Sequence, residues 1–271
     1  MARKRFLVIA IIAGSALVAI SFVGGSVGAI ITGREPLSIF NVSTPHIELA
    51  AGKPFPNLPI TNTMIATWIT ILVLFGLFFA ATRKMKLIPT GLQNLVEFLC
   101  ETAAGFIEDI AGQENGRRFF PVVVTIFLFV AMNAWVSLVP GFESIKLNGT
   151  PLLRNANTDI NLPLVLALTS FVCVEYWGFK AKGISYLKAF SGPAGPLEAI
   201  SHLVRIISFT FRLFGNMMAG LILTGVMIFI IPLVVPSIFY GLEAFFGFIQ
   251  AMIFSALTLV FGYVAVMSTE E

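Results

Sequence analysis

Long apolar runs separated by short polar breaks dominate this chain of 271 residues. A helix needs roughly 20 residues to cross about 30 Å of hydrocarbon. Six runs approach or exceed that length: Phe6–Ile31, Thr61–Ala81, Phe119–Val139, Asn161–Phe179, Ile200–Ile231 and Ser237–Met267. They predict an all-α membrane protein with five to six transmembrane helices. The first run follows Arg3-Lys4-Arg5 and closes near the small residues Ser26-Val27-Gly28-Ala29. Its length favours a retained anchor, while its flanks also fit a cleaved leader. Ile200–Ile231 would extend about 48 Å at 1.5 Å per residue, well beyond a bilayer's thickness. It is joined to a run of similar length by Pro232-Leu233-Val234-Val235-Pro236, so the pair reads as an antiparallel hairpin of long, tilted helices. Within Leu87–Gly116, the apolar Leu92, Leu95, Val96, Leu99 and Ala103 recur at helical spacing against Gln93, Asn94, Glu97, Glu101 and Glu108. That pattern predicts one interfacial amphipathic helix. The loops Gly33–Ile60 and Pro140–Ile160 are rich in proline, asparagine and glycine and are expected to be irregular. Three regions follow: an N-terminal anchor or leader (1–33), an outer segment (34–60) and a membrane domain (61–271). No internal repeat is evident.

Composition agrees, with 57% hydrophobic and 11% charged residues, against about 25% charged in a soluble domain. The net charge of +3 is no nucleic-acid footprint, because the cations sit in short clusters between apolar runs. Alternating the runs puts eleven of them on one side: Arg3, Lys4, Arg5, Arg83, Lys84, Lys86, Arg117, Arg118, Lys180, Lys182 and Lys188. Only four, Arg34, Lys53, Lys146 and Arg154, fall opposite. The positive-inside rule then places both termini in the cytoplasm. Cys100 and Cys173 lack CxxC spacing, and His46 has no second histidine nearby. With no Walker loop, GxGxxG or HExxH, no cofactor or metal is expected, and the chain is not read as an enzyme by itself.

One residue stands out. Arg212 lies within the run Ala199–Ile231, where a charge costs roughly 2.5–3.5 kcal/mol on insertion scales. Arginine cannot shed its proton, so it needs an anion, a watery cavity, or both. At steps of three and four, Glu198, Ser201, Arg205, Ser208, Arg212 and Asn216 share one helix face, continued by Gly220 and Thr224. Ile206, Phe209 and Leu213 lie opposite. Such a face lines an aqueous path or knits helices together, and Arg212 favours the path. On the last run Glu243 and Gln250 are seven residues apart on one face, with Gly247 between them. Counted inward from the shared turn, Gln250 lies about as deep as Arg212, and Glu243 about 10 Å nearer the outer surface. Glu243 reads either as a proton relay or as a paired or protonated structural group. Glu175 reads as an interfacial residue or hydrogen-bond partner rather than a relay. His202, one step off the stripe, reads as structural rather than as a shuttle.

The run RLFGNMMAG from Arg212 to Gly220 resembles the signature of subunit a of F-type ATP synthases. Pro196-Leu197-Glu198-Ala199-Ile200-Ser201, Arg205, Gln250 and the ending TLVFGYVAVMSTEE extend the likeness. So do Thr158-Asp159-Ile160-Asn161-Leu162 and the segment Asn133…Pro140-Gly141. The match covers roughly residues 40–271. The resemblance implies a proton-conducting stator subunit facing a rotating c-subunit ring, with b-type stator subunits, the rest of the F-type complex and the lipid bilayer as partners. It implies a bacterial inner-membrane location and two offset half-channels that couple ion flow to ATP synthesis. Arg212 would attract each rotor carboxylate, keep it ionised and block leakage between the half-channels. Glu198 and Ser201 would belong to the cytoplasmic half-channel; Asn216, Glu243 and Gln250 would belong to the outer one. Ser208 shares the Arg212 face and counts with them. Where many members carry a carboxylate or histidine five residues after the asparagine, this chain has Leu221, and Glu243 would supply the missing group. A secondary transporter with an anion-binding arginine is the alternative, but the chain shows neither inverted repeats nor paired broken helices. An intramembrane enzyme lacks any nucleophile–base pair.

Overall fold

A computed structural model describes residues 2–24, 30, 31, 33, 50–55, 58–139, 141–143, 145–147, 149–187 and 195–267. The readings made above for Ser26–Ala29, Arg34, His46, Pro140, Lys188 and residues 268–271 lie outside them. The described residues form six helices: α1 (Ala2–Gly24), α2 (Asn62–Thr82), α3 (Leu92–Val136), α4 (Asn161–Lys182), α5 (Gly195–Ile230) and α6 (Val235–Met267). Five of them, α2 to α6, are long and apolar enough to cross a membrane. Large apolar side chains point outward along them, with Leu72 and Phe75 each 68% exposed. That is what a lipid-facing surface looks like, since lipid, not water, covers it. The chain is an all-α membrane protein.

Local chemistry sets the boundaries. Thr61 caps α2 by accepting a hydrogen bond from the Met64 N–H. Gly183, at a φ of 58°, ends α4 in a backbone conformation that suits glycine. Pro236 sits in the first turn of α6, where a missing N–H costs nothing. The amphipathic segment and the following span are two helices that meet directly at a kink. They form α3, which is bent at Gly112, whose φ of 75° and ψ of 163° break the helix. Gly116 lets the two arms approach: a Cβ there would lie 3.1 Å from Glu108 Cγ.

The polar face expected for the first arm also needs correction. Gln93 is buried rather than exposed. Its amide clasps the backbone of Lys86, accepting from the N–H at 3.0 Å and donating to the carbonyl at 2.9 Å. Leu92 and Leu95 stay about half exposed, and it is Ile107 and Ala111 that enter the core.

The chain divides into two compact units, residues 1–49 with 217–246 and residues 50–216 with 247–271. In the first, the turn between α5 and α6 holds Val234 at a φ of 62°. A β-branched residue there costs about 1–3 kcal/mol. The Leu233 N–H donates to Ser21 Oγ at 3.0 Å, and Ser21 is fully buried, so α1 helps to fix the strained turn.

The core of the second unit joins Ile107, Phe119, Val123, Val174, Trp177 and Leu259. Gly262 makes room for Trp177: a Cβ there would lie 2.7 Å from the indole. Gly262→Ala is therefore expected to destabilise the protein by about 1–3 kcal/mol through overpacking. Thermal unfolding in detergent checks it, with Gly76→Ala as control, since nothing lies within 4 Å of a Cβ at Gly76.

The segment between α3 and α4 differs from the expected irregular loop. It carries a two-stranded ladder, β1 (Lys146–Leu147) against β2 (Thr150–Pro151), and a 3-10 turn at Ala156–Thr158. Arg154 through Asp159 are all buried. Thr63 donates to Asp159 at 2.9 Å, Asn133 to Asn157 at 3.0 Å, and Thr70 to Asn133 at 3.2 Å. Arg154 donates to Thr158 and to the Ala50 carbonyl. A buried loop must satisfy its polar groups internally, and these side chains meet most of that need; Asn157 Nδ2 has no hydrogen-bond partner among the described residues.

Candidate functional site

The site grows from the two faces of α5 within the second unit. One face is anchored: Leu213 is fully buried, Phe209 nearly so, and the Phe209 ring lies 4.8 Å from Phe254 of α6. That fixes the helix rotation. Glu198, Ser201, Ser208 and Arg212 then point outward as exposed residues, with Arg205 and Asn216 partly covered. From Glu198 to Asn216 the sequence-derived stripe is thus open or half-open surface, whereas Thr224, read as its continuation, is buried. Arg212 makes no ion pair or hydrogen bond with any described residue. A permanently charged fork is held in the apolar part of a membrane helix and turned away from its own chain.

Gln250 is only 5% exposed, and its Nε2 has no hydrogen-bond partner among the described residues. An unmet buried amide donor costs about 1–3 kcal/mol, and such groups concentrate at working sites. Arg212 and Gln250 do not hydrogen-bond to each other. Glu243 belongs to the first unit, partly buried beside Gly220. A Cβ on Gly220 would lie 3.5 Å from Glu243 Cγ and Cδ, an ordinary contact distance, so the carboxyl sits directly against this part of α5.

Near the start of α5 lies a charged cluster that sequence periodicity does not assemble. His202 is buried, with Nδ1 2.8 Å from Glu175 Oε1 and Nε2 3.2 Å from Glu198 Oε1. Tyr186 donates to the other Glu175 oxygen at 2.9 Å. Burial, reinforced by the hydrogen bond to Glu175 and its charge, pushes the Tyr186 hydroxyl well above its ordinary pKa, so it stays a donor. The Arg205 guanidinium stacks 3.9 Å from the centre of the Phe261 ring. Glu175 is therefore a hydrogen-bond partner, as its position suggested. His202, read as structural, lies against two carboxyls. The only sequence signal for this was the rarity of charge in these runs, because Glu175 and His202 lie on different helices.

Comparison with known proteins bears on this arrangement. The family model described as ATP synthase A chain matches residues 64–262. ATP synthase subunit a of Helicobacter hepaticus is 34% identical over 213 residues, covering 76% of this chain and 89% of the relative. The same subunit of Aliarcobacter butzleri is 34% identical, covering 73% and 86%, and that of Gloeobacter violaceus is 34% identical, covering 73% and 80%. The outward-facing Arg212 of α5 and the buried Gln250 of α6 both fall inside the matched region, and the chain belongs to the ATP synthase subunit a family.

Proposed function

We propose that this multi-pass membrane subunit conducts protons for an F-type ATP synthase, as a non-catalytic stator facing a ring of c subunits. The observation that carries the reading is Arg212, exposed on a polar helix face and in no ion pair with any described residue. A guanidinium at membrane depth needs a counter-charge, and a rotor carboxylate passing that face supplies one. The arginine lowers the carboxyl's pKa, favouring proton release, and its fixed positive charge repels protons that would leak past it. Glu198 and Ser201 line the cytoplasmic half-channel, with Ser208 on the Arg212 face. Asn216, Glu243 and Gln250 serve the outer one. The lysine and arginine distribution supports a bacterial inner-membrane orientation with both termini cytoplasmic.

Two measurements test this. The c-ring and b-type subunits should copurify with the chain in mild detergent, and purification of the chain alone would count against the reading. A cysteine at Lys84 or Lys182 should react with impermeant reagent only from the cytoplasm, and one at Asn148 only from outside. Labelling of Asn148 from the cytoplasm would overturn the orientation.

A further inference from the structure

A proton path needs more than an arginine and its facing carboxylate: it needs groups that load and unload protons quickly at each mouth. The cluster at the start of α5 has that composition. Glu198 is about half exposed, while the side chains of Glu175 and His202 are 16% and 9% exposed. A buried carboxylate and a buried imidazole are expensive to keep unless they are paired. Here one ring lies against both carboxyls: Nε2 is hydrogen-bonded to Glu198, and Nδ1 is within ion-pair distance of Glu175 without being aligned to donate to it. The Phe171 ring meets the imidazole edge-on at 5.6 Å between centres, which holds the ring plane. Tyr186 caps the far oxygen of Glu175, and its own ring packs against Gly178, where a Cβ would lie 2.7 Å away.

The charged groups facing His202 come from each neighbouring element. Glu175 comes from α4, and Glu198 and Arg205 from α5, with Arg205 in electrostatic reach of both carboxyls. Tyr186 follows α4, and the Lys182 ammonium lies 5.5 Å from the centre of its ring. Histidine is the side chain whose ordinary titration falls between about pH 5 and 8.

We propose that Glu198, His202 and Glu175 form a proton reservoir at the cytoplasmic mouth, with His202 carrying protons between the exposed and the buried carboxyl. In the transfer step the ring turns to aim Nδ1–H at Glu175, which lies 2.8 Å from Nδ1 but outside hydrogen-bond alignment; the Glu198 carboxyl gives its proton to Nε2, and Nδ1–H gives its proton to Glu175. The ring ends as the other tautomer with its charge unchanged, and no bond between heavy atoms forms or breaks. Return transfer reverses both moves. The reservoir deepens the reading of Glu198 as part of the cytoplasmic half-channel and rests on it. It adds two groups, Glu175 and His202, that the polar stripe does not contain.

The test is passive proton conduction through the reconstituted membrane sector, with the pH on the cytoplasmic side varied. His202→Gln keeps bulk and hydrogen bonding but holds no exchangeable imidazole proton. Conduction should fall about a hundredfold, the lower end of the range for losing one acid–base group, and lose its inflection between about pH 5 and 8. Glu175→Gln should remove the same inflection, and the double variant should add little further loss. Gly178→Ala, which displaces Tyr186, should shift the inflection without abolishing conduction. A wild-type flux and pH profile in His202→Gln would overturn the reservoir. Arg212→Ala on the same preparation separates the two ideas: if it leaves conduction and ATP synthesis untouched, the proton-path reading itself has failed. If His202→Gln does not assemble, the wild-type imidazole can be followed directly. The chain has only two histidines, so a His46→Gln protein labelled with nitrogen-15 histidine reports His202 alone. An imidazole signal that changes between pH 5 and 8, and is altered by Glu175→Gln, supports the reservoir; a fixed signal over that range rules it out.

Discussion

Arg212→Ala is expected to abolish proton-driven ATP synthesis while leaving ATP hydrolysis by the soluble sector intact. The size follows from Coulomb's law: a unit charge about 4 Å from a carboxylate contributes about 4 kcal/mol at an effective dielectric constant of 20. That corresponds to about three pKa units on the facing carboxyl, or about a thousandfold in its ionised fraction. Without the arginine, a rotor carboxyl in an apolar setting keeps its proton and does not release it at the interface. Arg212→Gln should behave like alanine. Arg212→Lys should also lose at least about tenfold, because an ammonium is more strongly hydrated, lacks the planar fork and sheds its proton when desolvated. ATP synthesis in inverted vesicles is the readout. Exposure of Arg212 makes the result informative, since removing an outward side chain disturbs little packing within its own chain.

Glu243→Gln is expected to slow proton conduction strongly without disturbing assembly. Glu243 is the only carboxyl on the outer half of the hairpin, and Leu221 cannot bind a proton. Glutamine preserves shape and hydrogen bonding but cannot exchange a proton, so the loss should approach about a hundredfold. Leu221→Glu or Leu221→His should restore part of the flux by returning a titratable group to the neighbouring helix. Conduction through the membrane sector with the soluble sector stripped away decides it. Unchanged flux in Glu243→Gln would move the entry path elsewhere, for example to the buried amides of Asn133 and Asn157.

The helices and the exposed face of α5 were legible in sequence for a simple reason. Spanning length and a period of three to four residues are local properties, and α5 obeys both: Leu213 and Phe209 turned inward and Arg212 outward, as their spacing required. The paired prolines likewise marked the turn between α5 and α6. Features set by tertiary packing were not legible. Gly112 resembles any helical glycine until the two arms of α3 fold against each other. The stretch Arg154–Asp159 looks like a polar surface loop, yet Thr63 of α2 and Asn133 of α3 donate to its Asp159 and Asn157, and the stretch is buried. The small side of Gly262 is intelligible only with the Trp177 indole against it. Glu175 and His202 are 27 positions apart on different helices, so no periodicity joins them; their 2.8 Å contact is a product of how α4 meets α5.

The most direct test of the rotor-facing role is a disulfide between α5 and the ring. Ser208 is exposed one turn before Arg212 on the same face. Ser208→Cys should form an oxidative cross-link with a cysteine placed one turn from the essential carboxylate on the c-subunit helix, and cross-linking should stop coupled ATP hydrolysis until reductant is added. A cysteine at Thr210, buried on the opposite side, should not cross-link. Cross-linking from Thr210 but not from Ser208, or from neither position while the ring remains assembled, would contradict a rotor-facing Arg212.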